Sequence, residues 1–281
     1  MQPGNGRREM IMDFFEAVLR FLDTQASTPE PYGWFHLAWF VAFILGAVSL
    51  CLWHRKHSTN QRKVILITTI VVIVLEIYKQ INYSFSYENG ISYDYQWYSF
   101  PFQFCSTPMY AGLLAGLTKK GKLHSVACAY LATYALFAGV AVMLYPTTVF
   151  VGTIGVNIQT MVCHGSMIFL GIYLLATGYV EAKSRTILKA LPLFLVFVAM
   201  AVIMNEAANC TGLLERETFN MFYISPYCEP HLPVYSLVQE LVPFPWCLLL
   251  YVFGFTVASY LILLPAIFLK RPRKSKIPCE V

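Results

Sequence analysis

WFHLAWFVAFILGAVSLCLW, residues Trp34–Trp53, is twenty residues without a formal charge, and Arg55 and Lys56 follow closely. At about 1.5 Å per residue such a run spans about 30 Å of hydrocarbon as one helix. Runs of the same kind recur at Val64–Phe85, Tyr98–Leu117, Ser125–Tyr145, Ile187–Asn209 and Val242–Phe268. One more ends near Val180. Its start lies anywhere from Val149 to Asn157, because the apolar stretch there is too long for one untilted span. Hydrophobic residues make up 57% of the chain and charged residues 12%, which excludes an ordinary soluble domain. Lipid offers no partner to a free backbone group, so helices are the expected element. The expectation is an all-α, polytopic, seven-transmembrane helical bundle over residues 34–268. An N-terminal tail (1–33) precedes it and a basic tail (269–281) follows.

Loop charges orient the bundle. Arg55, Lys56, Arg62 and Lys63 follow the first run, and Lys119, Lys120 and Lys122 the third. Lys183, Arg185 and Lys189 follow the fifth, and Lys270, Arg271, Arg273, Lys274 and Lys276 the seventh. Fifteen of the twenty basic residues thus fall on one alternating set of loops. The other set carries Glu88, Asp94, Glu215, Arg216, Glu217 and Glu229. The positive-inside rule puts the N-terminus outside and the C-terminus in the cytosol. Arg7, Arg8 and Arg20 must then be translocated, but Glu9, Asp13, Glu16, Asp23 and Glu30 outnumber them. The net charge of +5 is the cytosolic rim meeting anionic headgroups and implies no nucleic acid.

The first 33 residues lack an apolar core followed by small residues, so no cleavable signal peptide is expected. Residues 9–23 pattern as a short amphipathic helix, with Met10, Phe14, Val18, Phe21 and Leu22 toward one side, suited to the membrane interface. No internal repeat or linker divides the chain. Gly112 and Gly116 form a small-xxx-small pair for close helix packing. The eight cysteines show no metal spacing, and neither a metal nor another cofactor is expected. Cys210 and Cys228 share an outer loop, where a disulfide is open to them. Cys279 sits beside the basic tail, which leaves reversible acylation open. The sequons at Asn82 and Asn209 hug the membrane too closely for glycosylation. Oligomeric state has no signature in the chain.

Depth shows which polar groups can meet. Cys105 lies roughly 10 Å into the third run, and His164 lies at the same level if the fifth span starts near Asn157. Glu76, Lys79 and Asn82 approach the same face from the second run, Asn205, Glu206 and Asn209 from the sixth, and Gln239 and Glu240 from the head of the seventh. The inner halves of the runs have nothing comparable. Polar groups in hydrocarbon face each other or water, which predicts one pocket in the outer half of the bilayer.

Within it, Cys105 has the surroundings of a reactive thiol. Ser99 and Pro101 read as the cap and first turn of a helix, placing Cys105 near its positive end. Pro108 has no N–H to give the carbonyl of Phe104, and a kink there opens space beside the sulfur. A histidine within reach is a general base for a cysteine nucleophile. Gly165 removes bulk beside His164. The other reading also stands: an inert cysteine in a membrane helix, and a histidine that bonds a neighbouring carbonyl. Glu76 and Lys79, three apart, suit mutual neutralisation or headgroup binding. Asn205 and Asn209 share a face, for interhelical hydrogen bonding or for orienting His164 or a lipid carbonyl. Cys163 points about 100° away from His164 around the helix, which makes it the poorer nucleophile.

The segments FPFQFCSTPMY (Phe100–Tyr110), CHGSMIFLGIYLL (Cys163–Leu175) and FNMFYISPYCEP (Phe219–Pro230), with Pro243-Phe244-Pro245-Trp246, resemble the YwaF-like integral membrane proteins, mostly bacterial. The resemblance runs from the second span to the seventh. That family is distantly similar to animal transmembrane protein 164, a lipid acyltransferase with a cysteine active centre. Its nucleophile, in a Pro-Cys-His context, falls on Cys105, and its essential histidine falls on His164. Here Phe104 and Ser106 flank the cysteine instead. The resemblance implies a membrane-embedded phospholipid acyltransferase or transacylase with an S-acyl intermediate on Cys105. The implied substrate is a phospholipid or lysophospholipid, and hydrolysis of the lipid ester needs only water as acceptor. Gln103, Asn205 or Asn209 would stabilise the oxyanion. The implied location is a bacterial cytoplasmic membrane, or the endoplasmic reticulum in a eukaryote. The alternative is a non-enzymatic membrane protein that binds or passes a small solute or lipid through the same pocket. Glu76, Lys79 and Glu206 are then its centre.

Overall fold

A continuous apolar run satisfies its backbone in lipid only by bonding each N–H four residues back. The computed structural model describes residues 5–87, 90–146, 149–212, 214, 219–229 and 232–269. Its helices are α1 (Asn5–Leu22), α2 (Trp34–His57), α3 (Gln61–Asn82), α4 (Thr107–Leu117), α5 (Lys122–Leu131), α6 (Tyr134–Leu144), α7 (Ile154–Ala176), α8 (Arg185–Cys210), α9 (Pro233–Leu241) and α10 (Trp246–Phe268). A two-residue hairpin, β1 (Phe85–Ser86) against β2 (Ser92–Tyr93), follows α3. Among the described residues six segments are long and apolar enough to cross a membrane: α2, α3, Lys122–Leu144, α7, α8 and α10. The chain is an all-α integral membrane protein. Glu88, Glu215, Arg216, Glu217, the basic tail from Lys270 onward and Cys279 lie outside the described residues.

The third apolar run departs from expectation. Regular helix covers only Thr107–Leu117, preceded by 3-10 turns at Trp97–Ser99 and Phe104–Ser106. Pro101 and Pro108 are the cause, since neither can donate within a helix, and Pro108 is tolerated because it falls in the first turn of α4. Ser99 and Pro101 therefore cap no helix. The carbonyl of Phe104 is not freed either: it accepts the backbone N–H of Thr107 and, at 2.7 Å, the Thr107 hydroxyl.

This broken segment lies along α3. The Gln80 side-chain amide donates to the carbonyl of Ser99 at 2.8 Å. Farther on, a Cβ at Gly112 would collide with Thr69 Oγ1, and one at Gly116 would lie 3.0 Å from Leu66 Cδ1. The small-xxx-small pair thus docks α4 on α3, as its spacing predicts. From Gln80 to Leu66 is about 21 Å along the α3 axis, covered first by irregular chain and then by helix.

The fourth run bends between α5 and α6, where the Thr133 hydroxyl donates to the carbonyl of Ala129 at 2.7 Å, a back-bond that bends helices. Helix α7 starts at Ile154, inside the expected window, and packs against α2, α3 and α6. Gly165 does not open space beside His164. The ring of Phe43 on α2 fills it, so the missing Cβ serves helix approach. Helix α1 keeps Met10, Phe14 and Phe21 exposed and buries Leu19. Its end is tied down by Tyr78, whose hydroxyl donates to the carbonyl of Leu22 at 2.6 Å, and by Asn82, which donates to Asp23 Oδ1 at 3.2 Å.

Candidate functional site

Cys105 sits in the 3-10 turn just ahead of α4, at the positive end of that helix's dipole. Two contacts of Thr107 hold the turn: the bond to Phe104 described above and a 2.5 Å hydroxyl contact with Tyr130. Cys105, like Val72 and Phe104, packs against the buried cluster of Ala138, Cys163 and Met167. Cys105, Cys163, Ser166, Thr69 and Met109 line a cavity of about 20 Å³, room for about one water and too small for a lipid ester without side-chain movement.

His164 is buried on α7. Its Nδ1 lies 2.8 Å from the carbonyl of Thr160, and a carbonyl only accepts, so Nδ1 carries the proton. Nε2 is then a bare basic nitrogen, buried and without a hydrogen-bond partner among the described residues. Cys105 is therefore not bonded to it. Cys163 makes the contact instead, its thiol donating to the carbonyl of Cys105 at 3.7 Å. Val72 beside Cys105 lies about 15 Å from the Asn82 end of α3, and His164 lies about 15 Å from the Ile154 end of α7. Those two ends are neighbours, since Tyr78 blocks the Cβ position of Gly155. The depths match and both exceed the expected 10 Å or so, for His164 because α7 begins at Ile154 rather than near Asn157.

Glu76 centres a polar network. Lys79 Nζ pairs with Glu76 Oε1 at 2.7 Å, which is the expected neutralisation. The Gln80 amide donates to the same oxygen at 2.8 Å, and the Gln159 amide donates to Oε2 at 2.9 Å. Tyr95 donates to Gln80 Oε1 at 2.5 Å, and burial pushes its phenol up, which keeps it a donor. Gln80 and Gln159 carry the same signal as Glu76, a polar side chain inside an apolar run, without the charge that singles Glu76 out.

The amides expected at an oxyanion are committed elsewhere. Asn205 accepts the backbone N–H of Met221 at 2.7 Å and donates to the carbonyl of the same residue at 3.0 Å. Gln103 donates to the carbonyl of Asn220 and accepts the N–H of Phe222, both at 2.9 Å. Asn209 donates to the carbonyl of Asn205 at 2.7 Å and to Ser225 at 3.4 Å. None of them orients His164. Together they clamp a loop whose Phe222 is buried at φ 61°, a conformation that a bulky residue holds only when its surroundings over-determine it. Asn205→Ala leaves the buried N–H of Met221 unpaired and its carbonyl with only the 3.5 Å bond from the Ile224 N–H, at about 2 kcal/mol. Hydrogen exchange across residues 219–225 is expected to speed up markedly in that variant; unchanged exchange would show that the clamp is dispensable.

Glu206 accepts from Tyr227 at 2.9 Å, a bond that pushes the phenol up to about 12. The Cys210–Cys228 disulfide is not formed: Cys210 donates to Glu206 at 3.5 Å and Cys228 to the carbonyl of Phe219 at 3.6 Å. Gln239 and Glu240 belong to α9, ahead of the last span rather than in it. One thiol–imidazole contact does form elsewhere, Cys128 with His124 Nε2 at 3.5 Å, where Tyr179 also reaches the ring at 2.8 Å. Its signal in the chain is the four-residue spacing, which puts both on one helix face. Among the described residues no group of three or more His, Cys, Asp or Glu side chains is placed to hold a metal.

No curated protein and no solved structure matches the chain. The TMEM164 family model matches residues 27–263.

Proposed function

The chain belongs to the TMEM164 family, and from that membership we propose that it is a membrane-embedded phospholipid acyltransferase or transacylase acting through Cys105 and His164. The observation that carries the reading is the bare Nε2 of His164. A basic nitrogen buried at membrane depth without a partner is costly, and serving a substrate or nucleophile explains its retention. Nε2 takes the Cys105 proton as the sulfur attacks the lipid ester carbonyl. Collapse of the tetrahedral adduct breaks the ester bond, and the departing alkoxide takes the proton back from the imidazolium. An acceptor hydroxyl then gives its proton to Nε2 and attacks the thioester, which releases the new ester and restores the thiol. The positive end of α4 favours the thiolate and the oxyanion. The two side chains are not bonded in the resting state, and such contacts commonly tighten only around substrate.

Seven crossings fit the chain better than six, because the broken segment from Ser99 to Gly116 follows α3 from Gln80 to Leu66. An odd count also keeps the basic loops on one side, with the N-terminus outside and the C-terminus cytosolic. In a bacterial host the site then opens toward the outer half of the cytoplasmic membrane; in a eukaryote the endoplasmic reticulum is the equivalent.

The missing Cys105–His164 bond favours a second reading, binding or passage of a lipid or solute without chemistry. Mass spectrometry separates the two. Incubation with phospholipid is expected to leave an acyl group on Cys105, whereas lipid remodelling without that adduct would sink the covalent mechanism.

A further inference from the structure

We propose that a groove along the Asn82 half of α3 is the route by which a glycerophospholipid reaches Cys105, headgroup leading. The inference rests on the acyl-transfer reading only in taking Cys105 as the destination. The groove encloses about 470 Å³, within the range of ligand sites. Glu76 and Gln80 on the helix and Ser84 just past its end recur at every fourth position along the wall and form one polar stripe. Ile73, Ile77 and Ile81 flank the stripe, and Ile77 and Ile81 are exposed to the lipid side.

From Ile73 to the Asn82 end of α3 is about 14 Å along the helix, close to one leaflet of a hydrocarbon core about 30 Å thick. The protein already satisfies these polar side chains, Gln80 donating to Glu76 and the Ser84 hydroxyl donating to the Gln80 carbonyl at 2.7 Å, so a polar group passing along them meets partners that are costly to build in lipid. The stripe suits a headgroup and glycerol moving inward from the membrane edge while the acyl chains stay in the bilayer against the isoleucines. Glu76 has capacity to spare: a carboxylate offers about four acceptor positions, and Lys79, Gln80 and Gln159 take three. Met109 lines both the groove and the small cavity of Cys105. It is the partition between them, and its unbranched side chain moves easily. Its displacement would join the two spaces and bring the ester to the sulfur.

The test reconstitutes the full chain in phosphatidylcholine nanodiscs that hold a trace of phospholipid with a photoreactive headgroup. Cross-linked peptides and the Cys105 thioester are read by mass spectrometry. Cross-links are expected to concentrate on residues 73–85 and Met109, in the wild type and in Cys105→Ala alike. Ser84→Trp, which plugs the mouth, is expected to cut cross-linking and thioester formation together by tenfold or more, with unfolding temperature unchanged. Should that variant not fold, Ile81→Trp at an exposed neighbouring position replaces it. Cross-links spread evenly over the lipid faces of α2, α3 and α10, or a thioester undiminished by the plug, would overturn the groove and leave acyl transfer standing. Concentrated, plug-sensitive cross-links with no thioester in any protein would overturn acyl transfer and leave the groove as a lipid site.

Discussion

Cys105→Ala is expected to reduce acyl transfer to background, because among the described residues no other thiol lies both in the cavity and at the positive end of α4. Cys163 shares the cavity but spends its proton on the carbonyl of Cys105. His164→Ala is expected to lose about 10²–10⁴-fold, the usual worth of a positioned general base. It keeps the nucleophile, so residual turnover should recover as pH rises and the thiolate forms without help. Cys128→Ala is the informative control. Cys128 makes the one thiol–imidazole bond among the described residues, yet the proposal gives it no part, and that variant is expected to retain acyl transfer. Loss of turnover there, with Cys105→Ala active, would move the chemistry to the other end of the molecule. Release of labelled acyl groups from phospholipid vesicles, with thioester detection, reads all three.

The largest stability effect is expected at Glu76. Glu76→Ala strands Lys79, whose side chain is 15% exposed, and removes the acceptor of the Gln80 and Gln159 amides. Breaking a buried ion pair from one side costs about 3–5 kcal/mol, because the surviving charge stays buried. The thermal unfolding midpoint in detergent or nanodiscs should fall accordingly. Replacing both partners, Glu76→Gln with Lys79→Met, is expected to recover much of the loss, since no net charge is left in the interior. An Ala variant within about 1 kcal/mol of the wild type would mean that the pair is solvated and worth no more than a surface salt bridge.

Much of this architecture is written in local pattern. Runs such as Trp34–Trp53 become helices because lipid permits little else, and the run boundaries fall within a few residues of the observed ones. The Glu76–Lys79 pair follows from a three-residue spacing that puts both side chains on one helix face, and the α3–α4 contact from two glycines four apart. The third run reads as one span but is half irregular. Its two prolines mark the break, and only the presence of Gln80 beside Ser99 shows how the freed backbone is satisfied.

The candidate site is less legible. Cys105, His164 and Glu76 stand out as polar groups in apolar runs, and helical rise places them at comparable depth, because depth depends on position along one helix. Which groups touch depends on how helices rotate against one another, and that is settled by side chains far from the site. Phe43 filling the space at Gly165 and Thr69 facing Gly112 are two such contacts. Packing therefore decided that Cys163 meets Cys105, that Nε2 of His164 is left bare, and that Gln103 and Asn205 hold a loop 117 and 16 residues away. The sequence alone determined a helical membrane protein with polar groups at one level, since solvent and spacing dictate both. Only the tertiary structure decided their partners, because side-chain hydrogen bonds reach about 3 Å while helix rotation moves a side chain farther than that.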